Sequence, residues 1–438
     1  MLKALASGAA FAALALAAAG CGLNDDEGDG AAGPPQLIIE SSDSGDRDDP
    51  PGAPTFPSTA TKGTLRIAGG DPAAVAAGVA TAVFPSTSDA TRPDAVTLVD
   101  RDDWQGAVAA SVLMSGEIGA PLLVSDGDEL APVAAGALAR LDPGGSELAE
   151  NAQVVRIGDQ VARPEGRRTA VIGGGDQYEL AAAIDRFSAS AEGARSDAVV
   201  IASGEEPEWA IPAGAWAARS GDAVLFAGRD ELPEPTRAAI EAHEKPDIYI
   251  LGPENVIGDT VAKELEDLGK VERIEGPTPV ENAIEFARYQ APDFGWGLVT
   301  PGHNFTLAST SRPMDAAGAA ALGTEGTFAP LLLTDDVAAL PEPLEQYFLD
   351  VQPGFEENPN TGVHNRVWLL GDQETISVAQ QSQIDELTEL IPVQIDKKDV
   401  AGGQGSGGGG GRGGALGGPL DGGGLDSAPG GGGKTGND

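Results

Sequence analysis

The chain has 438 residues, an apolar fraction of 41 % and a formal net charge of −41. That charge excludes nucleic acid as a partner, because releasing counterions from a polyphosphate needs clustered Lys and Arg, and no such cluster occurs. A single cysteine, Cys21, excludes an internal disulfide and any Cys-based metal site.

Residues 1–20 carry one basic side chain, Lys3, then an Ala/Leu run that ends in Ala18-Ala19-Gly20 before Cys21. That order is a secretory signal. It resembles a bacterial lipoprotein signal, which makes Cys21 the expected lipidation site and the membrane a partner through the lipid. The alternative is ordinary cleavage after Ala17-Ala18-Ala19, which leaves a secreted protein. The run is too Ala-rich and short for a membrane span. Residues 21–62, dominated by Asp, Gly, Pro and Ser, cannot bury enough surface to offset ordering entropy and are expected to be a disordered tether.

Three similar units follow, at 63–165, 166–271 and 272–396. First strands are expected at Leu65-Arg66-Ile67, Ala170-Val171-Ile172 and Arg273-Ile274, each ending in Gly. Each leads to a helix capped by Asp71, Asp176 or Thr278; Glu179 and Glu281 complete capping boxes with the last two. Second strands are expected at Ala95–Val99, Ala198–Ala202 and Trp296–Val299, and third strands at Ala120–Val124, Asp222–Phe226 and Ala329–Leu333. Leu-Pro or Leu-Ala-Pro then opens a further helix after Leu130, Leu232 and Leu340. The units close at Val154–Gly158, Ile248–Gly252 and Val367–Gly371. Short apolar strands alternating with helices indicate an α/β fold of tandem βαβ-type repeats, with parallel sheets covered by helices in a pseudo-threefold arrangement. Gln352–Arg366 is a surface insertion by composition, and 397–438 is a Gly-rich disordered tail.

These units resemble the cell-wall-binding repeat 2 family, through Gly119-Ala120-Pro121-Leu122-Leu123 and the pairs Arg66/Gly69 and Arg273/Gly276. The resemblance covers about residues 63–396 and implies three tandem copies that hold an envelope polymer non-covalently, with no cofactor. Two features of the family pattern are absent. The Arg expected early in the first helix is Pro72, Gln177 or Pro279, and the Asp of Asp-Ala-Leu is replaced near Gly106, Trp209 and Thr306.

Ligands of open α/β sheets sit beyond the carboxyl ends of the strands. The residues expected there are Asp71, Asp176 and Thr278 after first strands, and Asp103, Trp104, Glu208, Trp209, His303 and Asn304 after second strands. Aromatic rings beside carboxylates and amides suit a saccharide; the other reading of Trp104 and Trp209 is half-buried packing. Gly173-Gly174-Gly175 lacks the rest of a dinucleotide fingerprint and is read as a tight turn. Acidic pairs such as Asp102/Asp103 are weak Ca²⁺ ligands or solvated loops, and no metal site is expected. The expected function is non-enzymatic binding of a cell-wall polysaccharide or other envelope glycopolymer, directly or bridged by a cation. The alternatives are a solute-binding lipoprotein, which needs two lobes, and a wall hydrolase, for which no nucleophile or metal motif occurs.

Overall fold

The computed structural model describes residues 38–41, 59–116, 118–324 and 327–393. The signal, Cys21 and the Gly-rich tail fall outside these. The chain divides after Pro392, and the C-terminal unit is outside the described residues except Val393.

Twelve strands form three parallel sheets of one pattern. The first runs, in spatial order, Arg168–Ile172, Val154–Ile157, Val96–Asp100, Leu122–Ser125. The second runs Lys270–Ile274, Asp247–Leu251, Ala198–Ser203, Ala223–Ala227. The third runs Thr64–Ile67, Arg366–Leu370, Asn304–Ser309, Leu331–Thr334. The outer strands Leu122–Ser125, Ala223–Ala227 and Leu331–Thr334 are buried along their whole length, as their unbroken apolar runs require of a sheet covered on both faces.

The sheets are displaced by one strand from the sequence repeats. Each sheet takes the second, third and last strands of one unit and borrows the first strand of another. The ring closes because Thr64–Ile67, at the start of the body, completes the sheet of the third unit. The helix after each first strand crosses to the next sheet. Pro72–Val83 packs on Leu122–Ser125, Gln177–Glu192 on Ala223–Ala227, and Pro279–Arg288 on Leu331–Thr334. Asp71, Asp176 and Thr278 cap these helices as expected, accepting from Ala74 N, from Tyr178 N and Glu179 N, and from Glu281 N.

Small residues let the three units meet. Trp104–Ala110, Pro212–Ser220 and Pro313–Gly318, with the 3₁₀ turns Ser111–Met114 and Ala320–Gly323, pack on one another. A Cβ at Gly323 would lie 2.3 Å from Ala215 O, so this contact admits no side chain.

Each seam between a borrowed strand and its neighbour carries one arginine at the same register. Arg66 pairs with Leu369, Arg273 with Ile250, and Arg156 with Val171. Where the second unit has Val171 in place of the first-strand arginine, the arginine stands on the facing strand instead. All three reach carbonyls at the end of the closing strand of their seam or in the loop after it. Arg66 donates to Gly371 O, Asp372 O and Ile376 O and to Gln381 Oε1. Arg156 reaches Asp159 O and Val161 O. Arg273 reaches Gly252 O and leaves Nη2 unpaired, because the position of Gln381 is Ala262 in that seam.

Two expectations are corrected here. Trp296–Val299 is not a strand, since Gly295 and Gly297 take φ of +98° and +65°; the strand is Asn304–Ser309. The expected tether contributes Ile38–Ser41, which pairs antiparallel on the open edge of Arg168–Ile172, and Thr59–Ala60, which pairs beside Thr64–Ile67. Its Ile38-Ile39 pair is the β-prone stretch of an otherwise polar segment. Within the insertion, Gly354–Phe355 pairs with Ile391–Pro392.

Candidate binding surface at the carboxyl ends of the strands

At the first sheet, Asp103 caps the helix Trp104–Ala110 and accepts from Gly106 N at 2.7 Å. Burial and nearby Asp100 hold its carboxyl above the usual carboxylate range. The Trp104 ring is half-buried and meets Phe226 edge-on at 5.9 Å. Gln105 beside it bonds Gly204 O of the second sheet, so this helix spans two sheets.

At the second sheet the loops form two adjoining clefts that share Arg229. One, of about 590 Å³, runs along Pro253–Asn255 and Glu275–Pro277. The other, of about 670 Å³, is lined by Asp176, Tyr178, Glu205, Asp230 and Glu231 among others. Glu206, on the loop before the short helix Pro207–Ala210, is pushed above the usual range by burial and by Glu208 and Glu205. Trp209 on that helix is 6 % exposed and belongs to the core. Asp176, Glu208 and Thr278 therefore stand around one sheet edge, whereas Trp209 lies beneath it.

At the third sheet the groups are Asp71, Arg312, Asp315 and Asp372. Arg312 donates to Asp315 Oδ1 and to Thr375 Oγ1, and Asp372 accepts from Thr375 N. Asp315 is 1 % exposed, and burial raises its pKa to about 6, with Asp71 and Asp372 adding to the rise against Arg312. Sequence reasoning missed this residue. Asp315 sits three positions after its helix cap, as Gly106 does after Asp103, so Met314-Asp315-Ala316 places an acidic residue at the position that Gly106 holds in the first unit. Thr306 lies inside the strand and is buried.

His303 and Asn304 do not join this surface. They precede and begin the strand Asn304–Ser309, at its amino end, where Asn304 donates to Thr327 O and Asn365 receives His303 N. The expected carboxyl-end placement followed from the misplaced strand.

The surface offers rows of carboxylate acceptors with isolated guanidinium donors, which suits hydroxyl-rich ligands more than covalent chemistry. His243 has both ring nitrogens engaged, by Asp185 and by the backbone carbonyl of Ser196. Among the described residues no group of three or more His, Cys, Asp or Glu side chains could hold a metal ion. No helix among them is long and apolar enough to cross a membrane.

The body is a mixed α/β fold of parallel four-stranded sheets, with polar loops gathered at the strand ends. Residues 171–262 match the model of the family Cell wall binding domain 2 (CWB2). Solved structures that share the fold include two from Clostridium difficile. Cwp8 is 20 % identical with a TM-score of 0.56, over 75 % of this chain and 52 % of that one. Cwp6 is 17 % identical with a TM-score of 0.58, over 80 % of this chain and 51 % of that one. The chain thus spans about half the length of these neighbours. No curated protein matches it.

Proposed function

We propose that the protein is a non-enzymatic binding and anchoring protein of the bacterial cell envelope. In this reading a lipid on Cys21 holds it to the membrane, and the strand-end surfaces of its repeats hold an envelope glycopolymer. The observation that carries the reading is the CWB2 match at 171–262, which spans Asp176, Glu205, Arg229–Glu231 and Pro253–Asn255 of the two clefts. The solute-binding alternative needs two lobes around one cleft, whereas this body is a closed ring of three sheets.

Sedimentation of the protein with purified bacterial walls tests the reading. Binding should saturate and weaken at least fivefold in Arg229→Ala. It should rise with Ca²⁺ if an anionic polymer is bridged to this acidic surface, and be indifferent to Ca²⁺ for a neutral polymer. Protein that stays in the supernatant under every condition would sink the proposal.

A further inference from the structure

A third cleft, of about 530 Å³, opens on the other side of the second sheet, at the amino ends of its strands. Ser115, Ser188, Arg195, Ser196, Arg219 and His243 stand on its walls. Three features gather at Arg219.

The first is an uncompensated charge. The Arg219 guanidinium lies 5.1 Å from the ring centres of Trp296 and Phe328 and 5.9 Å from that of Trp216. Among the described residues no carboxylate comes within ion-pair distance of it, in a chain with 68 acidic and 27 basic side chains. Of the acidic groups around the cleft, Glu192 stands on its wall and two others are committed elsewhere. Asp185 takes Arg195 and His243, and Asp222 takes Ser196 and Trp216.

The second is an orphaned donor. Trp296 is 7 % exposed, yet its indole Nε1–H has no acceptor, and buried indole N–H groups ordinarily find one.

The third is strain without burial. Phe328 adopts φ +50°, the conformation of Gly119 in the first unit, which also has φ +50°. A side chain in that region costs backbone strain, and this ring does not repay it by burial, since it is 45 % exposed.

We infer that Arg219, Trp296 and Phe328 form a seat for a sugar that carries a carboxylate, distinct from the carboxyl-end surface. The inference rests on the envelope-polymer reading and deepens it. A guanidinium held flat by aromatic rings presents its N–H edge in the fork that matches a carboxylate. The exposed Phe328 ring takes the apolar face of a pyranose, and serine hydroxyls along the cleft suit the remaining hydroxyls. The cleft has room for such a residue within a longer chain.

Titration of the whole protein with glucuronate and with glucose, followed by tryptophan fluorescence, reads this site, because Trp216 and Trp296 border it. Glucuronate should give a saturable change and glucose none. Arg219→Gln and Phe328→Gly should each weaken the response at least tenfold. Phe328→Gly restores the residue type suited to that backbone, so its melting temperature should hold or rise, which separates lost binding from lost fold. Wild-type protein that does not respond to glucuronate, or Phe328→Gly that responds undiminished, overturns the inference. Wall sedimentation run in parallel separates the two proposals. Binding to walls without a glucuronate response removes this site alone, and a glucuronate response without wall binding removes the envelope reading alone.

Discussion

Replacing Arg66 by Met removes the charge that closes the ring while keeping most of the side-chain volume. Arg66 is 2 % exposed, and its loss strips a donor from Gly371 O, Asp372 O, Ile376 O and Gln381 Oε1. Each buried acceptor left unpaired costs about 1–3 kcal/mol, offset in part by no longer burying a cation. A net loss of about 4 kcal/mol follows. Arg156→Met, which strips Asp159 O and Val161 O, should cost about 3 kcal/mol on the same basis. Arg273→Met loses one carbonyl contact and also removes an orphaned Nη2, so about 1 kcal/mol suffices. Urea unfolding followed by tryptophan fluorescence measures the order. The facing-strand geometry adds a sharper arm. Because Arg156 and Val171 are register partners, adding Val171→Arg to Arg156→Val should recover at least half of the loss. Equal costs at the three seams, or a double variant no better than the single one, would refute the seam account.

Two adjacent glycines should behave oppositely. A Cβ at Gly174 would lie 2.4 Å from Leu180 N, whereas at Gly173 the nearest atom is 3.8 Å away; Gly174→Ala should cost about 3 kcal/mol and Gly173→Ala under about 0.5 kcal/mol in the same unfolding assay. Asp315 has a folded pKa of about 6 against an ordinary 3.8, so the folded state holds the extra proton and stability falls as pH rises through that window. Relative to Asp315→Asn, the wild type should therefore gain up to about 3 kcal/mol between pH 7 and pH 4, and parallel stability curves for the two would contradict it. Cys21→Ala should move the protein from the membrane fraction to the medium or periplasm; an intact mass showing a mature N-terminus other than a lipidated Cys21 would dismiss the anchor.

Element types were legible from local pattern where apolar runs and caps coincide. Asp71-Pro72, Asp176 with Glu179, and Thr278-Pro279 announce helix starts that the backbone then makes. Which sheet a strand joins was not legible, because Leu65-Arg66-Ile67 declares a strand without naming its partner, and that partner lies some 300 residues on, at Trp368–Leu370. The third unit misled for a physical reason. Trp296 and Leu298 are buried and apolar, but the glycines flanking Trp296 break the strand. Asn304–Ser309 reads as polar, yet its Thr306 and Ser309 are inside. That shift carried His303 and Asn304 to the wrong edge and concealed Asp315. Trp209 was chosen for its aromatic face, and burial at 6 % exposure takes that face out of reach. The cleft at Arg219 could have been suspected from Phe328 alone, which stands where Gly119-Ala120-Pro121 has its glycine.

The most direct measurement of the central claim compares intact walls with the same walls stripped chemically of their glycopolymers, in sedimentation with the whole protein. The account predicts saturable binding to intact walls and at least a tenfold loss on stripped ones; equal binding to both, or none to either, would contradict it.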